Sequence, residues 1–452
     1  MVRTMTPSPR TARSPRSPQS QTSPRLMVFS LLAVVFAFWW FGAGTLWRSS
    51  HWAHYLYLAD AFLHGQLHLA RTPNDAGDMA VVGQKLYVVF GPFPALLVLP
   101  LVPLFARETP DILVLALTAL AGVWAFHTLL TRLHGARDPA RTACATLTFA
   151  LGTAMHYGAA MGNVWLHAQI TATVLQVFAL LAAASGRALA TGVLLGLTVL
   201  TRPTTTLAAP FCAWLLWSRR ERETGAAQPG PRQWLAFVLP TVAAMALHAA
   251  YNQARFGSPT DAGYHYILMG GEFEALVKQY GRFSLHFLPQ NLYGWLFRTP
   301  HWSGSSWVPD PHGMSLLLTT PYLLFALWPR KITRLEAFAL VNFLLIALPS
   351  WLYYNDGWVQ FGQRFALDGI VLALLAASFG AARAPLPLVV LTSPVVLLRS
   401  ASFPLAVLLP PVVLLKSALT PLAVLEPPVV LLSSALTPLA VLELPVLLLN
   451  SV

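Results

Sequence analysis

Charge is scarce in this chain. Only 10% of its 452 residues are Asp, Glu, Lys or Arg, against 56% hydrophobic, which excludes an ordinary soluble domain and a disordered one alike. Cysteine is scarcer still. Cys144 and Cys212 both lie inside apolar runs, so neither a disulfide framework nor a cysteine metal knuckle is available. No glycine-rich phosphate loop precedes a helix, which removes the usual signal for a nucleotide donor. The first 25 residues contain no acid, and the last stretch, from about 385, holds one aromatic residue, Phe403, where such residues are frequent elsewhere.

What is abundant is apolar sequence in runs near twenty residues, the length that crosses a bilayer as a helix. At that length only helices satisfy their own backbone in lipid, so the expected fold class is an all-α, polytopic integral membrane protein. The net charge of +12 gathers at segment ends, as membrane topology requires, and implies the membrane as partner with no nucleic acid.

Residues 1–25, rich in Ser, Pro and Arg, form a disordered tail whose five arginines hold the N-terminus in the cytoplasm. The run 27–46 is long enough to span, and no A-x-A site closes it as a signal peptide. Further spans are expected near 93–106, 111–131, 142–157, 166–184, 188–217, 233–252, 313–328, 335–352 and 366–382, about ten or eleven in all. Arginines at 219–233 and 328–334 read as cytoplasmic. Counting back from them, 48–92, 253–312 and 353–365 are external loops. Strict alternation then puts Arg132, Arg137 and Arg141 outside, against the positive-inside rule. Either 93–106, with Pro100 and Pro103, does not cross fully, or those arginines sit among headgroups on the far side. Arg202-Pro203 cuts 188–217 into two half-length helices meeting on the external side.

Three copies of a seventeen-residue unit follow at 400–416, 417–433 and 434–450, with prolines in register at 404, 421 and 438 and again at 411, 428 and 445. Such spacing breaks a helix before it spans. The expectation for 385–452 is a tandem repeat in the gene, read out of frame and replacing the authentic C-terminus.

The loop from Arg48 to Pro94 is too apolar and aromatic for disorder and too long to be a mere connection. Helical spacing over His54–Leu69 puts Leu56, Ala59 and Leu63 on one stripe and Asp60, His64 and His68 on another, predicting an amphipathic helix lying on the bilayer. The second stripe invites a metal reading. Eight residues of helix rise about 12 Å, however, so at most two of the three reach one ion. In the last external loop, Arg364 and Asp368 stand at i and i+4, the spacing of an intrahelical ion pair, with carrier or sugar contact as the alternative.

HYLYLADAFLHGQLHL, GQKLYVVFGPFPALLVLPLV, GNVWLHAQ, LTVLTRPT, YNQARFGSPTDAGYHY and GWVQFGQRFALD together resemble bacterial multispan proteins allied to the glycosyltransferase C superfamily, notably family 39 with its protein mannosyltransferases. The likeness covers about 27–383 and implies one transmembrane domain over 26–384. It implies a transferase that takes a sugar from a polyprenyl-phosphate carrier on the non-cytoplasmic face of the bacterial inner membrane and passes it to a lipid or protein acceptor. The superfamily's essential acid in the first external loop should fall near Trp52–His54, where none stands, which leaves His54 or Asp60 for the catalytic role. A second acid is replaced in its region by Asn163 and His167. At Thr201-Arg202-Pro203 the family carries a threonine-lysine pair whose cation holds the carrier phosphate, a task that suits arginine. Arg202 is therefore the expected phosphate ligand, and Asp78, Asn163, His167 and Arg364 the expected pocket. No cofactor is called for; a divalent metal is compatible with the motifs. Two other readings stand beside this one: a transporter or lipid flippase, and an inactive relative that binds a polyprenyl lipid.

Overall fold

The computed structural model describes residues 32, 34–35 and 44–392 except 72, 74–76, 135–137, 225–228, 268–270, 305, 329–330 and 359, plus the pairs 396–397, 413–414 and 430–431. The expected tail 1–25 and nearly all of the expected span 27–46 lie outside the described residues, as does most of 385–452. The described residues of this tail pair as parallel strands, with Val396, Val413 and Val430 in register one repeat length apart.

The first loop folds into α1 (His54–Leu63) and a hairpin of β1 (Met79–Val82) and β2 (Lys85–Val88) turned at Gly83. The expected stripe to Leu69 is cut short. Gly65 takes φ +66°, and Gln66 N–H reaches back to Ala61 O at 2.9 Å, closing the helix with His68 beyond it. Nor does α1 lie on a surface. Tyr55, Leu56, Leu58, Ala59 and Ala61 are all buried, packed with Met79, Val88, Val98 and Val164 into a core of the loop's own. Each large side chain so buried contributes about 1.5–3 kcal/mol, enough to fix the loop as a folded cap.

Residues 93–108 do not cross. They form short turns broken by Pro100 and Pro103: a helix at Phe93–Val98, a 3-10 turn at Leu99–Leu101, a helical turn at Val102–Phe105 and another 3-10 turn at Ala106–Glu108. The chain thereby returns to where it began. Ser50 gives its N–H and hydroxyl to the two carboxylate oxygens of Asp111 at 2.7 and 2.6 Å. From there α2 (Asp111–His134) runs to the opposite end, where His134 Nε2 meets Ser378 Oγ at 2.9 Å. The chain comes back through α3 (Pro139–Leu151) and α4 (Ala154–Met161), the expected span 142–157 being broken at Gly152-Thr153. Helix α5 (Val164–Ala184) descends through the middle of the molecule, buried on nearly every face. Next come α6 (Ala188–Val199), the break at Arg202, a 3-10 stretch Pro203–Ala208 and α7 (Ala209–Thr224).

Helix α8 (Pro231–Phe256) leans on α6 and leaves Leu235, Leu239, Val242, Met245 and Leu247 exposed, an apolar face suited to lipid. The expected helix 313–328 is a helical turn, Leu316–Thr319, followed by a 3-10 run, Pro321–Leu327. Finally α9 (Arg334–Trp351) and α10 (Ile370–Ala381) pack together, with Glu336 at the far end gripping Arg383. Among the described residues four helices, α2, α5, α8 and α9, are long and apolar enough to cross a membrane, and α6 and α10 are shorter apolar helices.

Candidate functional site

The helical run 188–224 breaks because proline forces the residue before it out of the helical region. Arg202 accordingly takes φ −153° and ψ 95°, with Pro203 opening the 3-10 turn that follows. Its guanidinium turns inward. Nε donates to Asp368 Oδ1 at 2.6 Å, while Thr204 Oγ1 donates to Asp368 Oδ2 at 3.0 Å. Asp368 itself is fully buried at the end of the 3-10 turn Arg364–Asp368. That turn is pinned from α5, where Thr173 Oγ1 donates to Leu367 O and Gln176 Nε2 to Asp368 O.

The expected pair of Arg364 with Asp368 does not form. In a 3-10 turn, with three residues per turn, positions i and i+4 no longer share a face. Asp368 goes to Arg202, and Arg364 stacks over Phe365 at 5.0 Å and Trp165 at 5.6 Å. Arg202 also lies over Phe365, at 5.6 Å. Among the described residues no carboxylate is within ion-pair distance of Arg364, and its buried Nε has no hydrogen-bond partner. Burial, and then the positive charge of Arg202, push the Arg364 guanidinium down to about 10, with Asp78 opposing. At Arg202 burial likewise works against the charge, but the Asp368 carboxylate outweighs it and holds the guanidinium above its usual value.

The first loop roofs the two arginines. Asp78, at φ 61°, sits in the left-handed region that Asp tolerates better than most residues, and accepts from Trp165 Nε1 at 2.8 Å. The loop is seated by its backbone: Phe93 N–H donates to Leu200 O at 3.0 Å, and a Cβ on Gly91 would fall 2.3 Å from that same oxygen. Tyr55 is buried with no hydrogen-bond partner for its hydroxyl among the described residues. Burial holds the phenols of Tyr55, Tyr264 and Tyr353 above their usual value, so they remain proton donors. Gln169 lies on the α5 face that also carries Trp165, Thr173 and Gln176; its amide is fully buried and, among the described residues, unpartnered at both atoms.

Of the residues expected from sequence, Arg202, Arg364 and Asp78 come together. The others have local work. Asn163 caps α5, its Oδ1 accepting from Leu166 N–H at 3.0 Å. His167 is buried edge-on to Tyr55, with ring centroids 5.4 Å apart, and its Nε2 has no partner among the described residues. His54 is wholly enclosed in the loop core. Asp60 stands beside His64, whose Nδ1 is 3.7 Å from the carboxylate and 2.8 Å from the Asp60 carbonyl. Among the described residues no group of three or more His, Cys, Asp or Glu side chains is placed to hold a metal ion. Sequence reasoning missed Asp368 as the partner of Arg202, together with Trp165, Tyr55 and Gln169. Their signal, polar and aromatic residues on one face of an otherwise apolar α5, was present at positions 165, 169, 173 and 176.

Solved structures match much of the chain at low identity. The chain is similar to ArnT. ArnT from Cupriavidus metallidurans, solved bound to undecaprenyl phosphate, matches at 14% identity and a TM-score of 0.47, over 81% of this chain and 61% of that one. The chain thus spans less than two thirds of that protein's length. The archaeal oligosaccharyltransferase AglB from Archaeoglobus fulgidus, solved with an inhibitory peptide and a dolichol-phosphate, matches at 13% identity and a TM-score of 0.37, over 79% of this chain and 50% of that one. No protein-family model matches the sequence, and no curated protein does.

Proposed function

We propose that the protein is a membrane glycosyltransferase that takes a sugar from a polyprenyl-phosphate carrier and passes it to a lipid or protein acceptor. The observation that carries this reading is the charge imbalance at the helix break. Two largely buried guanidinium groups, Arg202 and Arg364, stand at the break, and the buried carboxylate of Asp368 pairs with Arg202, leaving Arg364 with no carboxylate within ion-pair distance among the described residues. An uncompensated buried cation is costly, and an anion that enters relieves the cost. Phosphate fits the chemistry, since a guanidinium offers it two parallel donors, and Asp368 fixes Arg202 through Nε alone. Apolar helices run from this level toward the far end, so a phosphate carried on a long hydrocarbon chain meets protein and lipid of its own kind. Beside the arginines, Asp78, Trp165 and Tyr264 supply a carboxylate and aromatic faces suited to a sugar.

In this reading the arginine end faces away from the cytoplasm in a bacterial inner membrane, and the end bearing Arg141, Arg383 and Arg334 faces inward. The test is transfer of label by membranes holding the full chain, supplied with radiolabelled undecaprenyl-phosphate sugars, for wild type, Arg202→Ala, Asp78→Asn, Asp60→Asn and His54→Ala. Arg202→Ala is expected to abolish transfer, and His54→Ala to lower the amount of folded protein. Equal transfer per folded molecule by all the variants would refute the site.

A further inference from the structure

Transfer to a hydroxyl or amine needs a group that takes the acceptor's proton, and the first loop offers poor candidates. His54 is enclosed, Asp60 is engaged with His64, and Asp78 is tied to Trp165 and serves as the nearest counter-charge to Arg364. A better-formed base stands against the segment that carries Arg364, where the Gln363 amide reaches the His312 carbonyl. His312 Nδ1 lies 2.7 Å from Asp356 Oδ1. A carboxylate only accepts, so Nδ1 carries the proton, and in the neutral ring the lone pair is then on Nε2. Nε2 has no partner among the described residues, and the His312 side chain is 37% exposed where the Asp356 side chain is 10% exposed.

The support for this pair is extensive. Arg298 Nη1 donates to Asp356 Oδ2 at 3.0 Å and to His312 O at 3.0 Å, and Arg298 Nε is 3.9 Å from Asp310. Asp310 Oδ1 accepts from the His312 N–H at 2.8 Å. Gln360 Nε2 donates to both His312 O and Asp356 O, and the Gln363 amide reaches Gly313 O at 3.0 Å and His312 O at 3.3 Å. Gln363 is the residue before Arg364. One short segment therefore carries the brace of the histidine and the cation of the phosphate site. Trp358, 61% exposed, stands edge-on to the imidazole at 4.8 Å, an aromatic face beside an open nitrogen.

We propose that His312, oriented by Asp356 and Arg298, is the general base of the transfer. The proposal rests on the glycosyltransferase reading above. As the acceptor oxygen or nitrogen bonds to the anomeric carbon of the donor sugar, its proton passes to His312 Nε2. The bond from the anomeric carbon to the phosphate oxygen breaks with its electron pair, and the carrier leaves as polyprenyl phosphate held by Arg202 and Arg364. Asp356 and Arg298 are positioning residues, acting through the imidazole.

The test uses the full chain in membranes with radiolabelled undecaprenyl-phosphate sugars, measuring transfer per folded molecule and, separately, binding of undecaprenyl phosphate. His312→Ala is expected to lower transfer roughly 10²- to 10⁴-fold with carrier binding unchanged. Added imidazole should restore part of that rate, and Asp356→Asn should lower the rate without rescue by imidazole. Rescue is the decisive reading, because a merely structural histidine would not respond to it. Wild-type rates in His312→Ala, or a loss that imidazole leaves untouched, would overturn the base while leaving the transferase standing. Failure of wild type to transfer from any donor would overturn both.

Discussion

At the scale of single residues, the ion pair between Arg202 and Asp368 is both a structural liability and the expected functional device. Removing one partner strands the other in the interior, at a cost of about 3–5 kcal/mol, whereas replacing both with apolar residues of similar size is often neutral. Arg202→Ala should therefore lower thermal stability as well as activity. Arg202→Met combined with Asp368→Leu should recover the melting temperature while transfer and binding of undecaprenyl phosphate stay lost. Recovery of transfer in that double variant would show that the pair only holds the fold. Arg364 makes a separate prediction on pH. Its charged form is opposed by burial and by Arg202, so its charge falls away as pH rises toward about 10, whereas Arg202, held by Asp368, keeps its own. Carrier binding is expected to weaken over that alkaline range. Arg364→Gln should bind more weakly at neutral pH and lose the alkaline decline, as a lipid-binding titration at several pH values would record.

At the scale of elements, the breaks matter more than the helices. Proline at 203 aims Arg202, a left-handed Gly65 ends α1, and Gly91 lets the roof press its backbone onto Leu200. Gly91→Ala should displace the roof from the phosphate site and slow transfer roughly 10²-fold, the scale set by small misplacements of reacting groups, with the chain still folded. Asn163→Ala, by contrast, should cost about 1 kcal/mol of stability through the lost cap and leave carrier binding intact. What the sequence made legible follows the same division. Apolar runs disclosed the helical membrane fold, and proline disclosed the break at Arg202. The i, i+4 spacing of Arg364 and Asp368 misled, because it presumes an α-helix where the chain tightens into a 3-10 turn. The stripe through His68 misled because the His64-Gly65 stop was overridden by periodicity. His312 was illegible, since its carboxylate comes from a segment more than forty residues away that only folding brings near.

For the molecule as a whole, the short turns of 93–108 settle which groups share an end. Counted as a span, that segment would set Arg132 and Arg141 on the side of the roof. Since Ser50 holds Asp111, it instead returns the chain to its starting side, and α2 carries Arg132 and His134 away. Arg141 then meets Ala384 O at 2.7 Å, and Glu336 meets Arg383, so the basic residues around 132–141, 334 and 383 gather at one end. That arrangement obeys the positive-inside rule without placing arginines among headgroups on the far side. It also separates the two ends chemically. The end with Arg202 carries carboxylates, tyrosines and tryptophans around the proposed anion site, and the opposite end is basic. The topology proposed above, with the basic end inside, is then open to direct test. In cells whose chain carries Cys144→Ala and Cys212→Ala, a single cysteine at Trp302 should react with a membrane-impermeant maleimide added outside, as both residue and strand are exposed. A cysteine at Lys331 or Arg334 should react only after the inner membrane is opened. The reverse pattern, with Lys331 or Arg334 labelled from outside and Trp302 only after the membrane is opened, would place the basic end across the membrane from where its charge belongs. It would also remove the phosphate site from the face where a carrier-linked sugar is expected.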